Sequence, residues 1–207
     1  MPRIGDTRAK ILEVAEADFA SEGYAGAHLQ HIAEQVGVRK TALYYYYESK
    51  AALYTSVLTT ILEAFEHTVL AVLDTDDDPC HQLEALATRI NDLLAEHPNY
   101  ARILFRLFVD PQPPEMQGLY PSVQRVVERI LLFYRKGVDA GVFRRRSTRH
   151  FFQSAFGMIL FHYAAPRFSA TVLGVPDVFT KDTVTWRRDE VLALLREGVL
   201  LKAPEPS

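Results

Sequence analysis

The sequence has a single cysteine, Cys80, among 207 residues. No disulfide can form within the chain, and a reducing cytoplasm is the expected compartment. Cys80 adjoins His81 only along the sequence, and nothing else supports a catalytic pair, so it is taken as a packing residue. Glycine is sparse, and neither a glycine-rich phosphate loop nor a Gly-x-Ser-x-Gly elbow occurs. The seven histidines lack the His-x-x-x-His or Cys-x-x-Cys spacing of a metal centre, and no metal or cofactor is expected. Asp74-x-Asp76-x-Asp78 opens like a calcium loop, but Pro79 stands where glycine must turn the chain and Ala85 where a chelating glutamate belongs. No unbroken run of eighteen apolar residues suggests a membrane span, and the opening MPRIGDTRAK lacks the apolar core of a signal peptide. With no nucleophile or acid/base pair in view, an all-α enzyme is the weakest of the functional readings.

Excess positive charge is also missing. The formal net charge is -3, so any affinity for nucleic acid must come from local charge. The basic run RRRSTRH, residues 144 to 150, falls between two expected helices and is taken as a solvated loop.

What the chain has is helical periodicity from end to end, with 48% hydrophobic residues to build a core. Alternating strand patterns are absent, and the expected fold is all-α with about nine helices. Asp6 is a capping candidate for a first helix carrying Ile11, Leu12, Ala15 and Phe19 at helical intervals and stopping at Gly23. Two very short helices follow, LQHIAEQVG and KTALYYYY, then a longer one from Ser49 to about Leu73. Asp78 and Pro79 form an N-cap and first-turn proline for the next, which reaches His97. NYARILFRLFV precedes the proline-rich loop DPQPPE, and the following helix places Val123, Val126, Val127, Ile130, Leu131 and Tyr134 on one side. Ser147 can cap the helix TRHFFQSAFGMILFHYAA; after Pro166 a loop is expected, then a final helix, WRRDEVLALLREGVLL, and a disordered tail, APEPS.

The two short helices meet the demands of a helix-turn-helix. A small residue must sit where they touch, and the turn needs a positive φ; Ala33 and Gly37, four apart, supply both. Ile32, Val36, Val38 and Leu43 surround that contact. The run GYAGAHLQHIAEQVGVRKTALYYYYESKAAL resembles the N-terminal signature of the TetR/AcrR family of bacterial regulators. The matching features are Gly23-Tyr24, Ile32-Ala33, Gly37-Val38, Leu43-Tyr44, Tyr47 and Ser49-Lys50. Two departures stand out: Ala27-His28 replaces the usual Thr or Ser before the second helix, and the recognition helix opens Arg39-Lys40-Thr41-Ala42 where Ser-Lys-Gly-Thr is common. The first weakens an N-cap by about 1 kcal/mol unless His28 makes the backbone contact itself.

The resemblance implies a DNA-binding domain over residues 1–64, with the helix-turn-helix at about 27–46, and an effector-binding and dimerisation domain over 65–207. It also explains four consecutive tyrosines. Leu43 and Tyr47 face inward, Tyr44 and Tyr45 face outward where a phenol can reach a phosphate, and Tyr46 straddles the boundary. Arg39 is the expected reader of guanine in the major groove, with Gln30 and Thr41 as secondary readers. Lys40, Tyr44, Tyr45 and Lys50 are expected on phosphates, which position a protein without specifying sequence.

The expected function is therefore a cytoplasmic, homodimeric repressor of a pseudopalindromic operator in double-stranded DNA, released by a small hydrophobic effector. A helical carrier or sensor that binds no DNA is the alternative. The last two helices, rich in large apolar residues and with Ser154, Ala155 and Gly157 for close approach, are the expected dimer surface. The resemblance places an effector pocket among residues 79 to 165. Candidates for its wall are Asn91, His97, Arg102, Phe105, Phe133, Tyr134, Phe156, His162 and Tyr163, with Arg102 or His162 receiving a polar end of the ligand.

Overall fold

The computed structural model describes residues 4–111 and 113–201. Among these the chain forms ten α-helices and one 3-10 helix; the only extended pairing is an isolated antiparallel bridge between Phe143 and Leu200. The tail APEPS lies outside the described residues.

Helix α1 (Ile4–Gly26) begins before Asp6, so the expected capping residue lies in its first turn. Ile11, Ala15 and Phe19 recur every four residues and are fully buried. As expected, the regular helix breaks at Gly23, whose φ 71°, ψ 177° are not helical, and a short turn beyond this kink continues to Gly26. A side chain is disfavoured there, because that φ strains L residues and a Cβ would lie 2.7 Å from Nη1 of Arg106, forcing the end of that side chain to move.

Helices α2 (Leu29–Val36) and α3 (Lys40–Tyr46) form the helix-turn-helix. Gly37 takes the left-handed conformation at φ 81°, and the amides of Gly37 and Val38 donate to the carbonyl of Ala33 at 3.0 and 2.9 Å. Ala33 is fully buried beside Ile32, as the close approach of α1, α2 and α3 requires. His28 occupies the N-cap of α2 with extended backbone and makes no side-chain cap. Its ring therefore does not replace the usual hydroxyl.

Helix α4 (Lys50–Leu73) starts at Ser49, whose side chain accepts from the amide of Ala52 at 3.0 Å. It is long and apolar enough to pass a length-and-composition test for a membrane span. Its apolar side chains are instead used in packing: Leu53, Val57, Leu58 and Ile61 are buried, and one cluster continues from α1 through α4 to α10. Because α4 runs unbroken past residue 64, the N-terminal unit and the body share a helix.

Asp78 caps α5 (Pro79–Glu96), accepting from the amides of Cys80 and His81. These two hydrogen bonds hold its carboxyl below the usual carboxylate range. Helix α6 (Pro98–Val109) packs on both α1 and α8. The proline-rich stretch winds into the 3-10 turn Pro114–Leu119, buries Met116 and leads into α7 (Tyr120–Asp139). Helix α8 (Thr148–Ala164) follows, with Ser147 at its N-cap position but making no side-chain cap.

The chain has more helix than its sequence suggested. Pro166–Leu173, expected as loop, is helix α9; Pro166 fills its first position, where a missing amide costs nothing, and Gly174 closes it at φ 65°. Helix α10 (Lys181–Val199) starts five residues ahead of Trp186, because the side chain of Thr180 caps it through the amide of Thr183. The run RRRSTRH is not simply solvated. Arg144 Nε donates to Leu200 O at 2.9 Å and Arg146 Nε to Gly198 O at 3.0 Å, satisfying carbonyls at the end of α10.

Candidate nucleic-acid interface and apolar cavity

Helix α3 has one buried side chain, Leu43, and the tyrosines after it divide by face. Tyr47 is 4% exposed and holds Arg8, whose Nε donates to the phenol oxygen at 3.4 Å. Tyr45 is 79% exposed and Tyr44 46%, with Tyr46 half-buried and edge-on to Tyr45. Arg39, Lys40 and Thr41 are exposed at the start of the same helix. Among the described residues, no hydrogen bond or ion pair engages the side chains of Arg39, Lys40, Thr41 or Tyr44. These groups carry no internal obligation that an outside partner would have to break.

Two other expected contacts are already committed. Gln30 Nε2 donates to Glu34 one turn on, at 2.6 Å. Lys50 is half-buried, with Nζ 3.2 Å from Ala25 O and 4.9 Å from the centre of the Tyr24 ring, and burial lowers its pKa. Its ammonium fastens the bent end of α1 to the start of α4. His31, not singled out in the sequence, joins α2 to α1 through Nδ1, 2.7 Å from Oδ1 of the buried Asp18.

The body encloses a cavity of about 480 Å³. Helix α4 contributes Leu62, Phe65 and Val69, α5 Leu83, Leu86 and Ile90, and α6 Leu104, Leu107 and Phe108. Helix α7 presents the whole stripe Val123, Val126, Val127, Ile130, Leu131 and Tyr134, and α8 adds Phe152 and Phe156. The walls are almost wholly apolar, with Thr148 and Gln153 among the few polar residues. Tyr134 turns its ring to the cavity but spends its hydroxyl on Arg144 O at 2.9 Å.

Of the candidate pocket residues, Phe133, Tyr134 and Phe156 line this space. Asn91, His162 and Tyr163 lie elsewhere, in a buried polar cluster: Tyr163 donates to Asn91 Oδ1 at 2.9 Å, and Asn91 Nδ2 to Val184 O at 3.4 Å. Burial, reinforced by the charge of Arg187, pulls the His162 pKa down to about 4. Its ring is therefore neutral near pH 7. His97 stacks on Tyr100 at the α5–α6 corner, Arg102 is half-buried on α6, and Phe105 meets Phe161 edge-on outside the cavity. Neither Arg102 nor His162 is placed to receive a ligand's polar end. The α7 stripe was visible in the sequence and is the signal that best finds this wall.

Residues 11–57 match the family model described as bacterial regulatory proteins, tetR family. Over these residues the chain is similar to the DNA-binding segment of the TetR family. A transcriptional repressor of Streptomyces coelicolor is 35% identical over 99 residues, 48% of either chain, so the match spans about half the length of that relative. The fold extends the likeness over the body. A ketosteroid transcriptional regulator of Mycobacterium tuberculosis superposes with a TM-score of 0.78 at 17% identity, covering 97% of this chain and 98% of that one. The regulator AibR, solved with isovaleryl coenzyme A and operator DNA, gives 0.75 at 18% identity, covering 91% and 97%. At such identities the likeness is one of fold.

Proposed function

We propose that this protein is a cytoplasmic transcriptional regulator, a repressor that binds operator DNA as a two-fold dimer and leaves it when an apolar effector fills the cavity. The observation that carries the reading is the exposed, uncommitted face of α3 on a TetR-type helix-turn-helix. Arg39 is assigned to a base edge and Thr41 to a second; Lys40, Tyr44 and Tyr45 are assigned to phosphates. Gln30 can join them only by leaving Glu34, and Lys50 acts first as a brace. Residues 1–64 are the DNA-binding domain and 65–207 the effector-binding and dimerisation domain.

Dimerisation is supported by two exposed stripes. On α8, Ser154, Gly157 and Phe161 are exposed at helical spacing, and on α10 Trp186, Ala193 and Leu194 are. Ala155, also a candidate for close approach, faces the cavity instead. A dimer of the helix-turn-helix type sets its recognition helices about 34–36 Å apart, in successive major grooves.

Release needs a mechanical path from cavity to α3, and the effector must favour the arrangement that does not bind DNA. Helix α4 offers one path, since Leu62, Phe65 and Val69 line the cavity while Ser49 and Lys50 begin it beside α3. Helix α6 offers another. Leu104, Leu107 and Phe108 touch the cavity, and on the same helix Asn99 Nδ2 donates to Glu16 of α1 at 3.0 Å.

The test is a gel shift with DNA flanking the protein's own gene, in the presence of excess unrelated DNA. Selective retention of one fragment is the expected result. Failure to retain any fragment even at low salt leaves the carrier reading in its place.

A further inference from the structure

We infer that the ligand of the cavity is an amphiphile with a phosphate-bearing head, its apolar tail in the cavity and its head in an adjoining basic depression. The inference rests on the cavity being the effector site. A second hollow, about 640 Å³, lies between α7 and the start of α8. Its rim carries Arg125, Arg129, Arg135 and Arg149 against a single carboxylate, Glu128. It shares Leu131 and Thr148 with the wall of the apolar cavity, so the two spaces adjoin.

The arginines differ in what already holds them. Arg129 pairs with Asp74, and Arg125 lies 3.9 Å from Glu66 and donates to Ser122 Oγ at 3.0 Å. Glu128 accepts from Gln124 at 2.8 Å. Among the described residues, Arg135 and Arg149 have no ion-pair or hydrogen-bond partner, and both are exposed. Ser147, Thr148 and Arg149, which open α8, also line the hollow, and no side chain caps that helix. Free amides at the positive end of a helix dipole add to the guanidinium charge.

The chemistry of the two spaces is complementary within one ligand. An apolar wall gives a hydrocarbon or ring system no polar anchor, so orientation must be set at the rim. Guanidinium forks match phosphate oxygens two at a time, and four of them around one hollow supply more donors than a single carboxylate can accept. A neutral hydrophobe would leave Arg135 and Arg149 without a role, whereas an anionic head places them at the point where the ligand leaves the apolar space.

Titration calorimetry without DNA, using the whole protein, tests this with matched probes: 1-dodecanol, dodecanoate and dodecyl phosphate. Dodecyl phosphate should bind roughly tenfold or more tighter than dodecanol, with dodecanoate between them. In Arg135→Gln/Arg149→Gln that ratio should fall to about threefold or less, and salt should weaken the phosphate probe most. Dodecanol should displace dodecyl phosphate, and Val127→Trp, which fills the cavity, should weaken both. Dodecanoyl coenzyme A and dodecanoyl lysophosphatidate distinguish a nucleotide-borne from a glycerol-borne phosphate; tighter binding of either than of dodecanol supports the assignment. Equal affinity for alcohol and phosphate overturns it, as does a ratio unchanged in the double variant or a phosphate probe that dodecanol does not displace. Because no DNA is present, failure here leaves the apolar-effector reading intact, and failure of operator release leaves this assignment intact.

Discussion

Arg106 reaches from α6 to the bend of α1, where its Nη2 donates to the carbonyl of Ser21 at 2.7 Å. Its other terminal nitrogen lies 3.5 Å from Asp110, one turn further along α6. The guanidinium thus occupies the space that the missing side chain of Gly23 leaves open. Beside it, burial and the carboxylate of Asp110 push the phenol of Tyr54 up to about 12, so that ring is a neutral packing group against Phe19 at 4.7 Å. One residue of the helical body is therefore fitted into a kink of the N-terminal unit.

A first prediction follows from that fit. Gly23→Ala should destabilise the fold by more than about 1 kcal/mol, through its positive φ and its contact with Arg106. Adding Arg106→Ala removes the contact but not the backbone strain. Urea denaturation of both single variants and the double should give a double-mutant coupling of about 0.5 kcal/mol or more. Additive effects would mean that the guanidinium moves aside without cost.

On DNA, the two kinds of α3 side chain should separate. Arg39→Ala should relax base preference at one position, costing about 1–3 kcal/mol if the contact is bidentate. Tyr44→Phe should weaken binding to all sequences alike, and Lys40→Ala should in addition reduce the salt slope by about one. Binding isotherms against operator variants at several salt concentrations check this. An unchanged preference in Arg39→Ala would move base reading to another residue.

Lys50 should behave differently from Lys40. Its bond to Ala25 O and its place over Tyr24 predict that Lys50→Met lowers thermal stability by roughly 1 kcal/mol. A change in the salt slope with no change in melting temperature would return Lys50 to the phosphate contacts.

Acid should weaken the body through His162. Its folded pKa is lowered from 6.5 to about 4, so between those values the unfolded chain binds a proton that the folded chain refuses. Stability then falls as pH drops through that window, by roughly 3 kcal/mol at most. Arg187 and Tyr163 are the groups that set this environment. His162→Gln should flatten the stability profile between pH 6.5 and about 4, measured by urea denaturation at stepped pH. An unaltered profile would assign the acid sensitivity to other groups.

The dimer surface is tested by Phe161→Glu. This ring is 45% exposed, meeting Phe105 and Phe168 edge-on, so a charge there is tolerated in a monomer and opposed in an apolar interface. Sedimentation at micromolar concentration should show a dimer that dissociates in the variant.

By itself the sequence determined whatever depends on neighbours a few residues apart. The turn at Gly37, the small Ala33, the helix start at Ser49 and the cap Asp78 follow from helical period and backbone sterics, and the family resemblance adds the inward Tyr47 and the outward Tyr44 and Tyr45. Tertiary packing decided the rest. A helix pattern tells which residues share a face, but not which face meets a cavity, another helix or a second molecule. So the α7 stripe was legible while its partners on α4 and α5 were not, and Tyr163 bonds to Asn91, with the His162 ring packed against Tyr163, instead of lining the cavity. Lys50 finds Ala25 and Arg106 finds Ser21 across 25 and 85 residues of chain, distances over which no local pattern carries information. The arginines of the basic hollow are scattered from 125 to 149, and only the packing of α7 against the start of α8 gathers their charges around one space.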